Sequence, residues 1–205
     1  IVNCSENQYR KLRKYYTDML EMIDLIHFNS SVSENVYRKF INPKKFVILT
    51  ISNKEIRNNT SLEKKASDKI RYTFLSPAKP YKGYSFLIDA FDRMWDEGKR
   101  NFELNLYTSV PVVKKYMNIR GEGFTRSQLS EIFSNTDILL APSIWYETFG
   151  FTVLEALSYG VPVIVSDRVG AKDIVGDCGK VIDAFPFKTA ALSYKNFSNL
   201  FIIFS

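Results

Sequence analysis

The sequence predicts an α/β fold built on a doubly wound parallel sheet. From about residue 70 onward, short apolar runs bounded by turn residues alternate with amphipathic helical segments. Most of the residues in these runs are apolar, as expected for strands that are covered by helices, and the helical segments supply the crossovers that parallel strands need. Ligands of such sheets bind beyond the carboxyl ends of the strands, so we expect a site in the loops that follow residues 75, 107, 141 and 165.

Local patterns predict the individual elements. An apolar stripe from Leu87 to Trp95 predicts a helix over 85–97. Further helices are predicted from Thr125 onward and within 151–159. The apolar runs predict strands over 70–75, 102–107, 137–141, 161–165 and 179–182.

The chain divides into a small amino-terminal unit and a larger domain. Residues 1–45 are predicted to form a helix, a short strand and a second helix capped by Ser30 or Ser33. A strand and then a polar stretch follow over 46–69, and the polar stretch is the best candidate for a linker. Residues 70–205 then form the larger domain.

Composition excludes several classes of protein. With 45% hydrophobic and 24% charged residues, the sequence is ordinary for a globular protein of about one domain. Two cysteines and one histidine provide neither a disulfide framework nor a His-based metal site, and they indicate a reducing compartment. No apolar run approaches the ~18–20 residues that cross a membrane, so we expect a cytoplasmic protein. Because the chain opens on Ile1, we expect a fragment of a longer protein.

The net charge of +6 lies mainly in the amino-terminal third. Residues 1–66 carry 12 Lys and Arg against 7 Asp and Glu, with a cluster at Arg10, Lys11, Arg13 and Lys14. Such a cluster suits a peripheral contact with an anionic membrane face or a phosphorylated substrate, but a solvated helix face is the commoner case. The excess is too modest for nucleic acid, and no nucleic-acid-binding motif accompanies it.

Residues 142–167 contain the pattern that most strongly indicates a ligand-binding site. They are predicted to run from a strand end through a loop into a helix, a tight turn and another strand. Gly150 lets the backbone turn closely into the helix, so the amides of residues 151–154 point out of its start and suit a diphosphate. Glu147 in the loop and Glu155 one turn into the helix border the same crevice, where carboxylates accept hydrogen bonds from sugar or ribose hydroxyls.

Each carboxylate also has an ordinary structural interpretation. Residues 152–155, Thr-Val-Leu-Glu, match a capping box in which Glu155 ties down its own helix. Glu147 fits an exposed loop acid equally well. For either residue alone the structural interpretation is favoured, and only their combination argues for a site.

In combination these residues resemble a known family. Seven residues separate Glu147 from Glu155; they enclose Phe-Gly, and the block runs into Leu-Glu-Ala-Leu-x-x-Gly-x-Pro-Val. This block resembles the hallmark of the retaining glycosyltransferases of family 4, which have the two-lobed GT-B fold. The resemblance covers roughly residues 70–183, which match the donor-binding lobe, and it includes Lys82-Gly83, 137–143 and 169–175.

The resemblance implies a role for each matching residue. Glu147 would hold the donor sugar, Lys82 would neutralise the diphosphate leaving group, and Glu155 would take the ribose hydroxyls. The other implied donor-binding residues are Phe149, Gly150 and Phe151, whose backbone contacts sugar hydroxyls; Thr152 and Val153, whose amides lie near the phosphates; and Phe124 and Thr125, which lie near the base. The substrate would be a nucleotide-diphosphate sugar, with no cofactor and no metal, because cationic side chains and helix amides take the place of the metal.

Three departures from the family pattern bear on activity. Ser76-Pro77 stands where the family commonly has Gly-Arg, and Lys79 is the candidate substitute for that arginine. Residues 24–40 match only the last strand and helix of the family's first lobe, which holds the acceptor. After Asp183 the pattern fades into an apolar tail.

The expected function is transfer of a sugar, with retention, from a nucleotide-diphosphate sugar to a hydroxyl of a growing surface glycan or glycolipid. Because most of the first lobe is absent, we expect this chain to bind the donor without turning it over. Two alternatives remain open, namely a non-catalytic nucleotide-binding module and another GT-B enzyme such as a sugar-nucleotide epimerase or a phosphorylase.

Overall fold

The computed structural model describes residues 5–54 and 56–184. These residues contain two parallel sheets, one with two strands and one with six. The apolar tail predicted after Asp183 lies outside the described residues. The larger sheet carries the site and is taken first.

The six-stranded sheet confirms the predicted doubly wound architecture. Its order is β5-β4-β3-β6-β7-β8, and every neighbouring pair is parallel. The chain therefore runs outward from β3 to β5, returns to the other side of β3 and runs outward again, which places the topological switch between β3 and β6. The strands are β3 (Ile70–Phe74), β4 (Phe102–Leu106), β5 (Met117–Ile119), β6 (Ile138–Ala141), β7 (Val163–Ser166) and β8 (Gly179–Ile182).

Helices cover the sheet on both faces, as predicted. Alternate residues of β6 show the two faces, since Ile138 and Leu140 pack in one apolar cluster and Leu139 packs in the other. Helix α3 (Tyr84–Asp96) covers the first face, and α4 (Leu129–Ser134) and α5 (Phe151–Ser158) cover the second.

The amino-terminal part forms a small unit of its own elements. Helix α1 (Glu6–Glu21) begins at a capping box but buries no residue. Strand β1 (Ile26–Phe28) pairs with β2 (Phe46–Ile48), and α2 (Ser31–Tyr37) lies between them in sequence. Of the two predicted caps for α2, Ser30 is the one used, and its hydroxyl accepts a hydrogen bond from the Ser33 amide.

The polar stretch predicted as a linker lies against the larger domain. The Asn59 amide donates to the Ser158 carbonyl at 2.7 Å, at the end of α5. The Lys64 ammonium donates to the carbonyls of Phe133 and Thr136 at 2.8 and 2.7 Å, where burial lowers its pKa. This stretch is therefore fastened at several points rather than free.

An ion pair joins the amino ends of β3 and β6. The Arg71 guanidinium donates to both oxygens of Asp137 at 3.0 and 2.8 Å, and the Arg71 amide donates to the same carboxylate at 2.8 Å. Partial burial opposes the charge of Asp137, but the hydrogen bonds from Arg71 outweigh it and hold the pKa of this carboxyl below its ordinary value of 3.8. The pair thus fixes the register of the two central strands.

Asp137→Asn should remove the charge at nearly constant volume. We expect the free energy of unfolding at neutral pH to fall by about 3 kcal/mol, the lower end for breaking a buried ion pair, because Arg71 stays buried. The matched control is Glu131→Gln, which removes a surface pair with Lys65 and should change the stability by less than about 0.5 kcal/mol. Urea denaturation measures both.

The stability gap between wild type and Asp137→Asn should also depend on pH. Because the folded-state pKa of Asp137 is lowered, its contribution is present above the unfolded value and is lost as the pH falls through the folded value. A gap that stays constant from neutral pH down to about pH 2 would contradict this account.

Candidate functional site

Three loops meet beyond the carboxyl ends of β3, β6 and β7, at the predicted edge of the sheet. The Tyr81 carbonyl, in the loop after β3, accepts hydrogen bonds from the amides of Ile144 and Trp145 at 3.0 and 3.1 Å. The loop after β6 is joined in turn to the loop after β7, since the Gly170 amide donates to the Glu147 carbonyl at 2.9 Å. The loops form one hydrogen-bonded assembly next to the topological switch.

This assembly brings Lys82 and Glu147 into direct contact. The Lys82 ammonium donates to a Glu147 carboxylate oxygen at 2.8 Å, and the two side chains are 24% and 22% exposed. Both groups therefore stay accessible to a ligand while they neutralise each other. A partly desolvated pair of this kind attracts more strongly than a surface pair, because less water screens it.

A close backbone contact sets the position of Lys82. Gly83 has φ +80, and a Cβ at this residue would lie 1.9 Å from the Pro142 carbonyl oxygen. Only glycine allows that approach and that left-handed backbone together. The contact holds the end of the 3₁₀ turn Pro80–Lys82 against the start of the loop that carries Glu147.

Gly150 is the N-cap of helix α5, so the helix starts where the sequence analysis placed the amides of an anion site. Gly150 has φ +104 and serves as N-cap without a side-chain cap, and its Cβ position would lie 2.8 Å from a Val169 methyl group. Thr152 is consequently inside the helix and not its cap. The capping box proposed for Glu155 is therefore not formed, and that structural interpretation of the carboxylate is wrong.

The remaining residues predicted around the helix start are partly or wholly buried. Phe149 is 3% exposed and Val153 is 0% exposed, so these two residues shape the site from below its surface. The Val153 amide donates to the Gly150 carbonyl at 3.1 Å, which engages it in the first turn. Phe151 and Thr152 are partly exposed, and their positions at the start of the helix suit the predicted contact with an anion.

Glu155 faces a second part of the site. Its side chain is 8% exposed, and one carboxylate oxygen lies 3.6 Å from the Nε of Arg126, so its charge is balanced from the loop before α4. An open cavity of about 300 Å³ lies here, lined by Ile56, Arg126, Ser127, Leu129, Glu155, Ser158 and Tyr159. A buried carboxylate next to a cavity and a cation is a suitable acceptor for ligand hydroxyls.

Phe124 and Thr125, predicted near the base, lie directly before Arg126. The Phe124 ring packs edge-on against Tyr107 with centroids 6.2 Å apart, and Thr125 forms a capping box with Gln128. Sequence reasoning missed Arg126 itself. Its cationic side chain one residue after the predicted pair was the available signal.

The amino-terminal unit braces the site loop, which the sequence did not predict. The hydroxyls of Ser30 and Ser33 donate to the Thr148 carbonyl at 2.6 and 3.2 Å, one residue after Glu147. The Ser31 hydroxyl donates to Asp173 at 2.6 Å. Helix α2 therefore holds the loop from the side opposite the sheet.

Residues 5–54 and 56–184 contain neither a cluster of metal-binding side chains nor a helix that could span a membrane. In these ranges no three His, Cys, Asp or Glu side chains are placed to hold a metal ion. No helix within the same ranges is long and apolar enough to cross a membrane.

Comparison with known proteins assigns the fold and the family. The sheet and its helices match the Rossmann-like domains of GT-B glycosyltransferases in solved structures. Residues 69–192, more than half of the chain, match the family Glycosyl transferases group 1, and the chain belongs to this family.

Two curated relatives share part of the sequence. An uncharacterized 41.2 kDa protein in the cps region of Klebsiella pneumoniae is 27% identical over 113 residues, which are 54% of this chain and 31% of that protein. The O-antigen chain mannosyltransferase B of Escherichia coli is 49% identical over 39 residues, which are 19% of this chain and 10% of that protein. The aligned part is thus less than a third of either relative.

Two solved structures show the same fold at low identity. Sucrose-phosphate synthase from Thermosynechococcus elongatus is 16% identical with a TM-score of 0.67, and the match covers 97% of this chain and 55% of that one. Anabaena Alr3699/HepE in complex with UDP and glucose is 15% identical with a TM-score of 0.63, and the match covers 96% and 62%. The chain therefore spans little more than half of these proteins.

Gly83→Ala should disrupt the site because both the φ of +80 and the clash with Pro142 oppose a side chain. We expect a loss of stability of at least about 2 kcal/mol. Gly98→Ala is the matched control, since Gly98 has φ +85 and nothing within 4 Å of its Cβ position, so it reports the backbone cost alone, about 1 kcal/mol. Equal losses in chemical denaturation would show that the Pro142 contact is unimportant.

Proposed function

We propose that this chain is the donor-binding part of a glycosyltransferase and that it binds a nucleotide-diphosphate sugar. The observation that carries the proposal is the Lys82–Glu147 pair at the start of α5. The cation and the helix N-terminus suit the negatively charged diphosphate of such a ligand, and the carboxylate suits the hydroxyl groups of its sugar. All three lie at one edge of a parallel sheet, where ligands of such sheets bind.

In this proposal Lys82 and Glu147 separate when the donor binds, and each contacts a different part of it. Lys82 is drawn to the diphosphate, which releases Glu147 to accept hydrogen bonds from the donor sugar. As the bond between the anomeric carbon and the diphosphate oxygen breaks, the electron pair stays on that oxygen. Lys82 and the amides at the start of α5 then stabilise the growing charge, while the sugar becomes oxocarbenium-like. The resemblance to family 4 supports retention at the anomeric carbon.

The ribose is assigned to Glu155, with the base near Phe124 and Thr125. The buried carboxylate supports this assignment because its charge is already balanced by Arg126 and it adjoins an open cavity. Cationic groups and helix amides serve the diphosphate, so we propose binding without a metal. Lys79 is exposed in the same loop as Lys82 and remains the candidate for a second cation.

The acceptor is proposed to be a hydroxyl of a surface glycan or glycolipid. Two curated relatives, a protein of a cps region and an O-antigen chain mannosyltransferase, support this setting. Residues 1–45 are proposed to be a remnant of the acceptor-side lobe, whose main part this chain does not include. A cytoplasmic location with α1 peripheral to the inner membrane face fits its exposed basic cluster, although Arg10 and Lys14 are paired with Glu6 and Asp18 on the same helix.

A non-catalytic nucleotide-binding module is the second candidate. It is favoured by Ser76 and Pro77, which stand where the family commonly has Gly-Arg, because the arginine that would share the diphosphate with Lys82 is then replaced. A sugar-nucleotide epimerase of the GT-B class is the remaining alternative.

Substitution of the two carboxylates separates their roles. Glu155→Gln should weaken both UDP and UDP-glucose, or GDP and GDP-mannose, by about 10- to 150-fold, since a charged hydrogen bond contributes about 1.5–3 kcal/mol. Glu147→Gln should weaken the nucleotide sugar and leave the free nucleotide nearly unchanged. Calorimetric titration in EDTA measures the affinities of the wild type and of each variant for the free nucleotide and for the nucleotide sugar. Thermal melts exclude unfolded variants.

Several results of these titrations would contradict the proposal. Equal effects of Glu147→Gln on nucleotide and nucleotide sugar would contradict its assignment to the sugar. Binding that appears only with added magnesium would overturn the metal-free site. No effect from either variant would show that the nucleotide binds elsewhere.

A further inference from the structure

Two exposed aromatic side chains belong to the two loops that carry Lys82 and Glu147. Tyr81 is 46% exposed and Trp145 is 65% exposed, and their rings contact each other edge-on with centroids 6.4 Å apart. We call these two rings the aromatic platform. Tyr81 directly precedes Lys82, and Trp145 is two residues before Glu147, so the platform borders the candidate site on both loops.

The backbone holds the platform in place. The Tyr81 carbonyl accepts hydrogen bonds from the amides of Ile144 and Trp145 and, at 3.2 Å, from the Ser143 hydroxyl. The same contacts join the loops that carry Lys82 and Glu147. These hydrogen bonds hold the backbone of both residues, and the edge-on contact between the two rings restrains their side chains. A ligand that stacks on them therefore orders less of the chain than it would on a free loop.

The chemistry of the platform fits a saccharide. An aromatic face is electron-rich, so it attracts the polarised C–H groups on one side of a pyranose ring, and it repels a second anion such as a phosphate. The indole N–H and the phenol O–H at the ring edges are available to sugar hydroxyls. A large exposed indole also gives up unfavourable contact with water when an apolar face covers it.

Two cations pack over the ring of Tyr146, the residue that follows Trp145. The Arg168 guanidinium lies 4.1 Å from the Tyr146 ring centroid, and the Lys39 ammonium lies 5.3 Å from it. Lys39 comes from the amino-terminal unit and Arg168 from the loop after β7, so both units contribute donors near this ring. An occupant with hydroxyl or carboxylate groups around an apolar ring face suits these donors.

We propose that Tyr81 and Trp145 form a subsite for the acceptor saccharide, one ring of which stacks on the platform next to the donor sugar held by Glu147. This inference rests on the proposed function, because it takes the Lys82–Glu147 pair as the donor-sugar position. Continuity with that pair selects a saccharide over an unrelated protein partner. The nucleoside is assigned elsewhere, next to Glu155 and Arg126.

Tryptophan emission reports on this subsite directly. The sequence has two tryptophans. The other one, Trp95, belongs to α3 and packs against the apolar core. Mannotriose or maltotriose, added to the chain at millimolar concentration, should change the emission of Trp145. In calorimetric titrations Trp145→Ala and Tyr81→Ala should each weaken the better trisaccharide by about fivefold or more, the effect of losing a contact of about 1 kcal/mol.

Two controls separate stacking from a general surface effect. Trp145→Phe keeps an aromatic face but loses contact area and the indole N–H, so its affinity should lie between those of wild type and Trp145→Ala. Val113→Ala removes an apolar side chain that is 63% exposed in the segment between β4 and β5 and should leave the affinity unchanged.

Parallel titrations with UDP-glucose and GDP-mannose distinguish the two proposals. Wild-type chain that binds a nucleotide sugar but neither trisaccharide overturns the platform and leaves the proposed function standing. Chain that binds a trisaccharide but no nucleotide sugar overturns the proposed function. If Trp145→Ala weakens only the nucleotide sugar, the platform serves the donor and the acceptor assignment is wrong. A shift of Trp145 emission with protein concentration alone would assign the rings to a second copy and overturn the inference.

Discussion

Strands β3 and β6 lie side by side at the centre of the sheet, and contacts at both ends hold them there. At their amino ends Arg71 and Asp137 form a bidentate ion pair. Beyond their carboxyl ends the backbone of Gly83 lies against the Pro142 carbonyl so closely that no side chain fits. The switch in strand order occurs at this junction, so the crevice that the topology creates is the one these contacts shape.

The two ion pairs of the candidate site form because loops meet at and near that junction. Lys82 faces Glu147 because the two loops are joined, and Arg126 faces Glu155 because the loop before α4 reaches the side of α5. Each carboxylate thus has a cation before any ligand arrives, which keeps partly buried charges stable. A dianionic ligand exchanges these partners rather than entering an unbalanced site, and hydroxyl groups can replace the cation at each carboxylate.

The sequence was informative where a local pattern determines the structure. Short runs rich in apolar residues predicted five of the six strands of the larger sheet within a residue or two, and Gly150 marked the start of α5. β5 has only three residues, too few for a pattern, and is held by pairing with β4. The capping-box interpretation of residues 152–155 failed because the true N-cap is Gly150, where the backbone is left-handed and Thr152 is already helical.

Features that depend on distant residues were not predictable from spacing alone. The Lys82–Glu147 contact, the Arg126–Glu155 contact and the hydrogen bonds from α2 to Thr148 each join separate parts of the chain. The family resemblance assigned roles to Lys82 and both glutamates but gave no reason for Arg126 or for the rings of Tyr81 and Trp145. These positions became significant only when the loops were placed together.

Backbone amide mapping by NMR tests the central claim most directly, because it locates a nucleotide sugar without any substitution. On titration with UDP-glucose or GDP-mannose, the account predicts that the largest shift changes lie in three segments, namely 79–83, 124–127 and 144–155. Free UDP or GDP should reproduce the changes near Lys82 and Glu155, and the sugar of the nucleotide sugar should add further changes near Glu147. Largest changes on α1 or at the amino ends of the strands, or none at saturating ligand, would contradict the account.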